Sequence, residues 1–360
     1  MPLVQNSDLP TYERLRQEGH HVLTRERAGQ QDIRDLHVGL LNMMPDAALA
    51  ATERQFFRLV GSSNPISQFH MHTFTLDSIV RGEVAAQHID RYYESFSSIK
   101  EHGLDALIIS GANVVEADLS QEVFWAQLMD VAEWAHEHVT STLCSCLATH
   151  ALLLGQYGIK RTQLNTKCWG VFEHEMKIRS HPLVSDVNTH IVVPHSRFNN
   201  VSAAQMREKG MHVLAEGDEP GVQLAVSPDG FRTVFFQGHP EYDRISLMKE
   251  YKRDIGLYVH GELHAYPPMP LHYFNEYATA LLVEFRESVI NAMRAGNEVP
   301  DFPESHIIPH LRNVWHDSGE AVVGNWLGLM YQLTNSDRRI QFMDGVDPND
   351  PLGWLAKGAT

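Results

Sequence analysis

The sequence has little cysteine, no long apolar run and no excess of positive charge, and each absence excludes a class of protein. Three cysteines in 360 residues do not make a disulfide framework, which favours a reducing compartment. No stretch of about 18 apolar residues is present, so we expect no membrane span. The N-terminus lacks a basic segment followed by an apolar one, so we expect no signal peptide and a cytoplasmic location.

Charge and missing phosphate-binding motifs narrow the range of partners. The formal net charge of -16 argues against nucleic acid or an anionic membrane surface as the main partner. Neither G-x-x-x-x-G-K-[ST] nor G-x-G-x-x-G occurs, so nucleotide binding through such loops is unsupported. An anionic co-substrate is still compatible, because local basic residues can form a pocket.

The first half of the chain alternates apolar runs of strand length with amphipathic runs of helix length. Buried parallel strands read as nearly continuous apolar runs. Strands are predicted at residues 36–44, 69–76 and 105–110, and helices at 11–18, 52–60, 89–99 (closed by Gly103) and 123–134. The alternation predicts an α/β protein with a doubly wound, mostly parallel sheet, whose site lies beyond the carboxyl ends of the strands.

Residues 138–154, HVTSTLCSCLATHALLL, are predicted as a strand that runs into a helix, with Cys146 at the junction. Val139, Thr140 and Thr142 favour the extended part, and apolar residues at helical spacing follow. The first turn of a helix carries positive partial charge, which favours the reactive thiolate form of cysteine. Cys146 is therefore predicted to be a nucleophile.

A cysteine nucleophile needs a base and a group that orients the base, and GHPEYD at residues 238–243 offers both. The motif directly follows a predicted strand, so His239 reaches Cys146 if the two strands are neighbours. Glu241 can then hold the imidazole, and Pro240 fixes the turn between them. The residues thus predict a Cys146–His239–Glu241 triad. The alternative is a His-Pro-Glu turn that simply ends a strand.

Acyl transfer also needs hydrogen-bond donors for a developing oxyanion. The candidates are the backbone N–H of Leu147, first in the predicted helix, and one at Gly111 or Ala112, where a predicted strand ends. An ordinary turn glycine is the alternative at Gly111.

The spacing of Cys144, Cys146 and His150 could suggest a metal site. No second cluster with zinc-ligand spacing accompanies it, so no metal is predicted. Cys144 and Cys168 are instead predicted to be small buried residues.

The second half of the chain is more mixed, and its elements complete a predicted division of the chain. Short strands are predicted at 189–193, 222–226 and 233–236, helices at 247–258, 277–293 and 323–330, and a proline-rich loop at 300–309. We expect an N-terminal extension (1–35), an α/β domain (36–275), a helical insertion and C-terminal helix packed on that domain (276–345), and a loosely ordered tail (346–360).

Eight motifs, taken in order, resemble one family closely. They are LNMMP at 41–45, SGA at 110–112, VTSTLCSC at 139–146, QYGI at 156–159, NTKCWGVFEHE at 165–175, VPHSRF at 193–198, GHPEYD at 238–243 and NWLGLMYQLT at 325–334. The family is that of the homoserine O-succinyltransferases (homoserine transsuccinylases), which also includes homoserine O-acetyltransferases. The resemblance covers residues 36–275 and resumes near the C-terminal helix.

This resemblance implies a class I glutamine amidotransferase-like (flavodoxin-like) fold with C-terminal helical additions. It implies a ping-pong acyl transfer in methionine biosynthesis, with no bound cofactor, succinyl-CoA as co-substrate and L-homoserine as acceptor. Cys146 would carry the acyl group, His239 would move the protons and Glu241 would orient His239. A homodimer is expected. The residues that match substrate-binding positions of the family are Lys167, Ser196, Arg197 and Arg253.

Three departures from the family pattern bear on the donor and the architecture. Residues 46–48, Asp-Ala-Ala, stand where the family usually has a lysine after Met-Pro. Residues 276–310 resemble an insertion that extends a dimer interface or covers the site. The position that sets acyl specificity falls on Val115 in an ungapped match, which favours succinyl-CoA. A shift of one residue places it on Glu116, which favours acetyl-CoA.

Other hypotheses stay open at the level of the sequence. Within the same chemistry, the donor is acetyl-CoA, or the chain is a paralogue that acts on another hydroxy amino acid. A glutaminase-type amidotransferase or a peptidase would use the same triad on an amide. A non-enzymatic alternative is an amino-acid-binding regulator, against which the joint presence of Cys146, His239 and Glu241 argues.

Overall fold

The computed structural model describes residues 3–20, 22–30, 34–63 and 67–358, and the strands of this part form one sheet. They are β1 (Leu3–Val4), β2 (Val22–Leu23), β3 (Asp35–Leu41), β4 (Gln68–Phe74), β5 (Ala106–Ile109), β6 (Ser141–Ser145), β7 (Thr162–Met176), β8 (His190–Asn200), β9 (His212–Gly217), β10 (Gly221–Val226) and β11 (Thr233–Phe236).

The sheet is parallel over most of its width. Its order is β2-β1-β4-β3-β5-β6-β11-β10-β9-β7-β8. Every pairing from β2 to β11 is parallel, and every pairing from β11 to β8 is antiparallel. The carboxyl ends of β5, β6 and β11 therefore meet at one edge of the sheet.

Helices pack on both faces of this sheet. They are α1 (Pro10–Gln17), α2 (Arg25–Ala28), α3 (Leu49–Ser62), α4 (Glu83–Tyr92), α5 (Phe96–His102), α6 (Trp125–His138), α7 (Leu147–Tyr157), α8 (Ala203–Glu208), α9 (Ser246–Val259), α10 (Glu276–Ala295), α11 (Glu304–Ile307) and α12 (His316–Leu333).

The central strand β5 illustrates why helices are needed on both sides. Side chains of a strand alternate between its two faces. Ala106 and Ile108 join one apolar cluster with residues of α3 and α12, whereas Leu107 and Ile109 join another with residues of α6 and α7. The predicted doubly wound α/β class is thereby confirmed.

The C-terminal helix α12 supports the strand that leads to Cys146. The indole N–H of Trp326 donates to the hydroxyl of Ser141 on β6 at 2.8 Å. At the end of the helix, the hydroxyl of Thr334 donates to Asp105 Oδ1 at 2.7 Å. Trp326 is fully buried, so this helix is part of the core.

A third apolar cluster lies beside the antiparallel hairpin of β7 and β8. Trp169 and Val171 of β7 join residues of α9 and α10 there, including Tyr251 and Leu282. The helix predicted at 277–293 is confirmed as α10, and it packs against this hairpin region. The predicted division of the chain into segments stays a prediction.

Two predicted elements were wrong in detail. The helix predicted over 89–99 is two helices, because α4 ends at Tyr92 and the hydroxyl of Ser95 caps α5 by accepting from the N–H of Ser98. Gly103 ends α5 with a φ of 72°, as predicted. The proline-rich loop contains the short helix α11.

The C-terminal tail and the hairpin of β7 and β8 also differ from the prediction. Residues 346–358 are not loosely ordered, because the buried Trp354 ring lies 4.6 Å from the His181 ring and 4.9 Å from the His212 ring. Residues 359 and 360 lie outside the described part. The strand β7 was not predicted, since the polar first half of this long strand lacks the apolar pattern of a buried one.

Candidate active site

Cys146 stands at the turn between β6 and α7 in a backbone conformation that residues other than glycine rarely adopt. Its φ is 51° and its ψ is -104°. Such strain persists only where the surroundings hold it. The N–H of Cys146 donates to the carbonyl of Phe236 on β11 at 2.8 Å. The half-buried thiol is therefore held at a fixed turn at the carboxyl edge of the sheet.

His239 lies beside Cys146 because β11 and β6 are parallel neighbours. Phe236 pairs with Ser145 in their register, so the residues after both strands leave the sheet at the same edge. The N–H of His239 donates to the carbonyl of Pro194 at 2.8 Å, which fixes the loop. The strands are thus neighbours, which is the condition on which the predicted triad depends.

Glu241 holds one nitrogen of the His239 ring and leaves the other for Cys146. His239 Nδ1 donates to Glu241 Oε1 at 2.8 Å, so Nε2 is the nitrogen that remains for the thiol. The hydroxyl of Ser145 donates to the same Glu241 oxygen at 3.2 Å. The side chains of His239 and Glu241 are 8% and 5% exposed, so the pair is almost closed to water.

The surroundings of His239 favour an imidazolium. Burial opposes the charge, but Cys146 and Glu241, through their charges and hydrogen bonds, outweigh burial and raise the pKa of His239 well above its usual value. Tyr242 stacks on the ring at 4.2 Å with an interplanar angle of 15°. A thiolate beside an imidazolium is the form in which cysteine acts as a nucleophile near neutral pH.

Gly111 lies next to Cys146, the predicted nucleophile. Ile109 of β5 pairs with Cys144 of β6, so Gly111 follows at the same edge of the sheet. A Cβ atom added to Gly111 would lie 4.0 Å from the Cβ of Cys146. Gly111 therefore lies beside Cys146, the residue directly before Leu147, whose N–H opens α7. A role of Gly111, Ala112 and Leu147 as oxyanion donors stays a prediction.

A second set of polar side chains surrounds Glu250 on α9. Glu250 Oε1 accepts from the hydroxyl of Tyr242 at 2.9 Å, and Oε2 accepts from the hydroxyl of Ser196 at 2.5 Å. Lys167 Nζ lies 3.4 Å from Oε2. Because Tyr242 stacks on His239, Glu250 connects the histidine to two of the predicted substrate-binding residues.

Lys167 and Arg253 both contact Asp254, one turn after Glu250 on α9. Lys167 Nζ lies 3.9 Å from Asp254 Oδ2, and Arg253 lies 2.8 Å from Asp254 Oδ1. Lys167 also lies over the Trp169 ring at 4.1 Å from its centroid. Its side chain is 14% exposed, against 61% for Arg253. We call Lys167, Ser196, Glu250, Arg253 and Asp254 the charged cluster.

Arg197 follows Ser196 on β8 and makes its contacts outside the charged cluster. Its Nε donates to His195 Nδ1 at 3.3 Å and its Nη1 to the carbonyl of Asn199 at 2.7 Å, while Nη2 donates to the carbonyl of Pro220. These bonds tie β8 to the turn before β10. Contact of Arg197 with a substrate stays a prediction.

Asp46, which stands in the segment that departs from the family pattern, is paired. Arg81 Nη1 lies 3.2 Å from Asp46 Oδ1, and the N–H of Gly82 donates to Asp46 Oδ2 at 2.8 Å. Arg81 also donates to the carbonyl of Met44 at 2.6 Å. The pair of Asp46 and Arg81 thus anchors the loop beside Gly111, whose added Cβ would lie 3.4 Å from the Met44 sulfur.

The two candidate specificity positions lie on a loop beyond β5. The N–H groups of Val115 and Glu116 both donate to Glu122 Oε1 at 2.7 Å, which fixes the loop backbone. Val115 is 90% exposed, and Glu116 is exposed as well. Which of the two sets the acyl donor stays a prediction.

The other cysteines and His150 have ordinary surroundings. Cys144 is fully buried, and burial raises the pKa of its thiol far above the usual value. Cys168 is only half-buried, less than predicted, and burial raises its pKa too. His150 Nε2 lies 2.9 Å from Gln237 Oε1. Across the described residues, no group of three or more His, Cys, Asp or Glu side chains is placed to hold a metal ion.

Sequence reasoning missed Ser145, Tyr242, Glu250 and Asp254. A signal existed for two of them, since Glu250 and Asp254 are four residues apart and share a helix face with each other. The convergence of β7, β8 and α9 on that face has no pattern in the sequence.

Comparison with known proteins gives a consistent family. A family model described as homoserine O-succinyltransferase matches residues 2–336. A homoserine O-succinyltransferase from Allochromatium vinosum is 58% identical over 353 residues, which cover 98% of this chain and 99% of the relative. One from Methylococcus capsulatus is 56% identical over 353 residues, again 98% of this chain and 99% of the relative.

Solved structures give weaker likenesses. A glutamine amidotransferase from Thermotoga maritima is 11% identical with a TM-score of 0.42, over 83% of this chain and 98% of that one. A glutamine amido transferase from Methylobacillus flagellatus is 12% identical with a TM-score of 0.44, over 82% and 95%.

No helix in the described part of the chain is long and apolar enough to cross a membrane. The family model spans nearly the whole chain, and the two relatives named above are 58% and 56% identical over 98% of it. The resemblance found in the motifs is thus confirmed, and the chain belongs to the homoserine O-succinyltransferase family, whose members are acyltransferases.

Proposed function

We propose that this chain transfers a succinyl group from succinyl-CoA to the hydroxyl of L-homoserine, in methionine biosynthesis, through a thioester on Cys146. The observation that carries the mechanism is the bond of His239 Nδ1 to Glu241 Oε1 at 2.8 Å, beside a thiol at a strand-to-helix turn. The shared name of the relatives supports the two substrates.

In the first half-reaction, the Cys146 thiolate attacks the thioester carbonyl of succinyl-CoA. The N–H of Leu147 and one at Gly111 or Ala112 stabilise the oxyanion of the tetrahedral intermediate. The bond between the carbonyl carbon and the CoA sulfur then breaks, and the CoA sulfur takes the proton that His239 carried. The products are free CoA and a succinyl thioester on Cys146.

In the second half-reaction, the homoserine hydroxyl attacks that thioester while His239 takes its proton. The bond to the Cys146 sulfur breaks, which releases O-succinyl-L-homoserine and restores the thiolate beside the imidazolium. Glu241 holds the imidazole in the tautomer that both steps require and stabilises its positive form.

The charged cluster is suited to the zwitterionic end of homoserine. Arg253 offers a planar guanidinium and Lys167 a point charge to the α-carboxylate. Glu250 and Asp254 offer carboxylates to the α-ammonium group. Because the cluster neutralises itself, an incoming zwitterion exchanges one set of ion pairs for another instead of meeting unpaired charges.

Coenzyme A takes part only as a component of the co-substrate, and we propose no resident cofactor or metal. A homodimer and a cytoplasmic location are part of the same proposal. The resemblance supports the homodimer, and the composition of the sequence supports the location. A reducing compartment suits an enzyme that depends on a free thiol.

Intact-protein mass spectrometry tests the mechanism and the donor together. The wild type and Cys146→Ala are mixed with succinyl-CoA or acetyl-CoA without an acceptor. We expect a succinyl adduct on the wild type alone, discharged by L-homoserine. Cys144→Ala is the matched control and should keep the adduct.

Other outcomes distinguish the alternatives. An acetyl adduct discharged by homoserine would name acetyl-CoA as donor. An adduct that homoserine does not discharge would indicate another hydroxy amino acid. No adduct from either donor, with ammonia released from glutamine, would replace the proposal with a glutaminase.

A further inference from the structure

Two arginines on α3 reach the loop that carries His239 and Glu241. Arg54 and Arg58 are four residues apart, so they lie side by side on one face of the helix. Their side chains are only 10% and 13% exposed. Both guanidinium groups bind the carboxylate of Asp243, the last residue of the GHPEYD motif.

Arg58 makes one contact that Arg54 does not. Its Nη2 donates to the backbone carbonyl of Glu241 at 3.0 Å, while its Nη1 donates to Asp243. The planar guanidinium thus hydrogen-bonds the loop at two points, Glu241 and Asp243, which lie on either side of Tyr242. Arg54 instead shares its charge between Asp243 and Glu18 at the end of α1, at 3.4 Å.

Both arginines neutralise the charge of Asp243 in the loop, but only Arg58 holds the Glu241 backbone in place. If Arg58 is removed, Arg54 still neutralises Asp243, but the bond between α3 and the Glu241 backbone is lost. If Arg54 is removed, Arg58 keeps its hydrogen bonds to both Glu241 and Asp243. The two arginines are therefore a matched pair, similar in burial and in charge partner but different in their contact with Glu241.

We propose that Arg58 is a positioning residue for acyl transfer, which fixes the Glu241 backbone so that its carboxylate meets His239 Nδ1. The inference rests on the proposed Cys146 mechanism and adds to it a residue outside the triad. Small misplacements of a catalytic group slow a reaction strongly. Since His239 serves both half-reactions, Arg58 supports both without touching either substrate.

The test compares Arg58→Gln and Arg58→Lys with Arg54→Gln. For each variant, rapid-quench mass spectrometry gives the rate at which succinyl-CoA forms the adduct on Cys146, steady-state assays give the KM for homoserine, and thermal melting gives stability. We expect Arg58→Gln to slow adduct formation by about 10- to 100-fold. Its KM for homoserine should be unchanged. Arg54→Gln should melt at a similarly reduced temperature but form the adduct within about threefold of the wild-type rate.

The variant Arg58→Lys distinguishes an effect on the alignment of Glu241 from an effect on the stability of the fold. A lysine keeps the charge next to Asp243 but cannot hold two points with a planar fork. We expect its melting temperature to recover while adduct formation stays slow. If rate and stability recover together, or if Arg54→Gln is as slow as Arg58→Gln, the proposal is wrong.

The rate at which iodoacetamide alkylates Cys146 is a second measurement on the same variants, and it does not depend on the proposed reaction. If the wild type forms no adduct with either acyl-CoA, the proposed function fails. Alkylation then still reports the alignment of His239, because it depends on the thiolate. Equal alkylation rates in wild type and Arg58→Gln would then overturn the role of Arg58 as well.

Discussion

The proposed triad and the charged cluster lie next to each other but are built in different ways. The triad stands where two neighbouring parallel strands end, and backbone register sets the placement of Cys146 and His239. The charged cluster draws side chains from β7, β8 and α9, and ion pairs among those side chains hold it together. One site is placed by the sheet and the other by its own charges.

This difference fits two different tasks. Chemistry on an acyl carbon needs groups that are already aligned, and the half-buried, strained turn at Cys146 would provide them in the proposed mechanism. Binding an amino acid needs charges that can change partners, and the cluster provides cations and anions in contact. Glu250 and Tyr242 are the link, since Tyr242 contacts both Glu250 and His239.

The largest effect should come from a change of Cys146, the proposed nucleophile. We expect Cys146→Ala to lower kcat by at least about 10,000-fold, because members of a catalytic unit fail together. Cys144→Ala and Cys168→Ala should keep most of the activity. A CoA-release assay measures the activity of all three variants. Normal activity in Cys146→Ala would show that the proposed mechanism is wrong.

Loss of the orienting carboxylate should come next. Glu241→Gln should lower kcat by about 1,000- to 10,000-fold, since the amide holds the wrong tautomer of His239. Ser145→Ala removes only the second donor to Glu241 and should cost about threefold. Equal effects of the two changes in single-turnover experiments would mean that Ser145 belongs to the essential unit.

A change in the charged cluster should separate binding from chemistry. We expect Glu250→Gln to raise the KM for homoserine by about 10- to 100-fold, because a hydrogen bond to a charged group is lost. The rate of adduct formation with succinyl-CoA should stay near that of the wild type. The exposed Glu262, just beyond α9, offers Glu262→Gln as a control of the same chemistry.

If Glu250→Gln slows adduct formation as strongly as it weakens homoserine binding, the two regions are one site. Tyr242 would then transmit the loss to His239. Titration of the wild type and variant with homoserine, alongside the adduct rates, decides between these readings.

Donor choice should show a smaller effect. Val115→Glu should shift the preference from succinyl-CoA towards acetyl-CoA by about tenfold, because the new carboxylate repels that of the succinyl group. Glu116→Gln should leave the ratio of kcat/KM for the two donors almost unchanged. The opposite result would assign specificity to Glu116.

The smallest effect concerns stability and pH. Burial opposes the charge of Asp243, but Arg58 and Arg54 outweigh it and hold the pKa of Asp243 below its usual value. A group with a lowered pKa stabilises the fold above the pKa of the unfolded chain and loses that contribution as pH falls through its folded value. Asp243→Asn should therefore melt about 2–4 °C lower at pH 7. Thermal melts should show this gap closing below about pH 4.

The triad region was predictable from sequence because its residues mark the ends of strands. An apolar run followed by Cys146, and another followed by His239, give both the fold and the edge at which they meet. Whether the two strands are adjacent depends on long-range pairing, which no local pattern in the sequence carries.

The charged cluster was not predictable in the same way. Lys167 and Arg253 were singled out only through the family resemblance, and Glu250 was missed, because their proximity depends on how the hairpin packs against α9. The same limit explains the tail, where one buried side chain, Trp354, decides the packing of a segment that is polar in composition.

The support of β6 by α12 has a consequence for synthesis. The chain emerges from the ribosome with Cys146 early and Trp326 late, yet the indole of Trp326 bonds the strand that leads to the thiol. His239, too, follows Cys146 by more than 90 residues in the chain. A growing chain therefore carries its thiol through 93 further residues before the proposed base, His239, is made. The strand that leads to the proposed nucleophile gains its bond from α12 only when the chain is nearly complete.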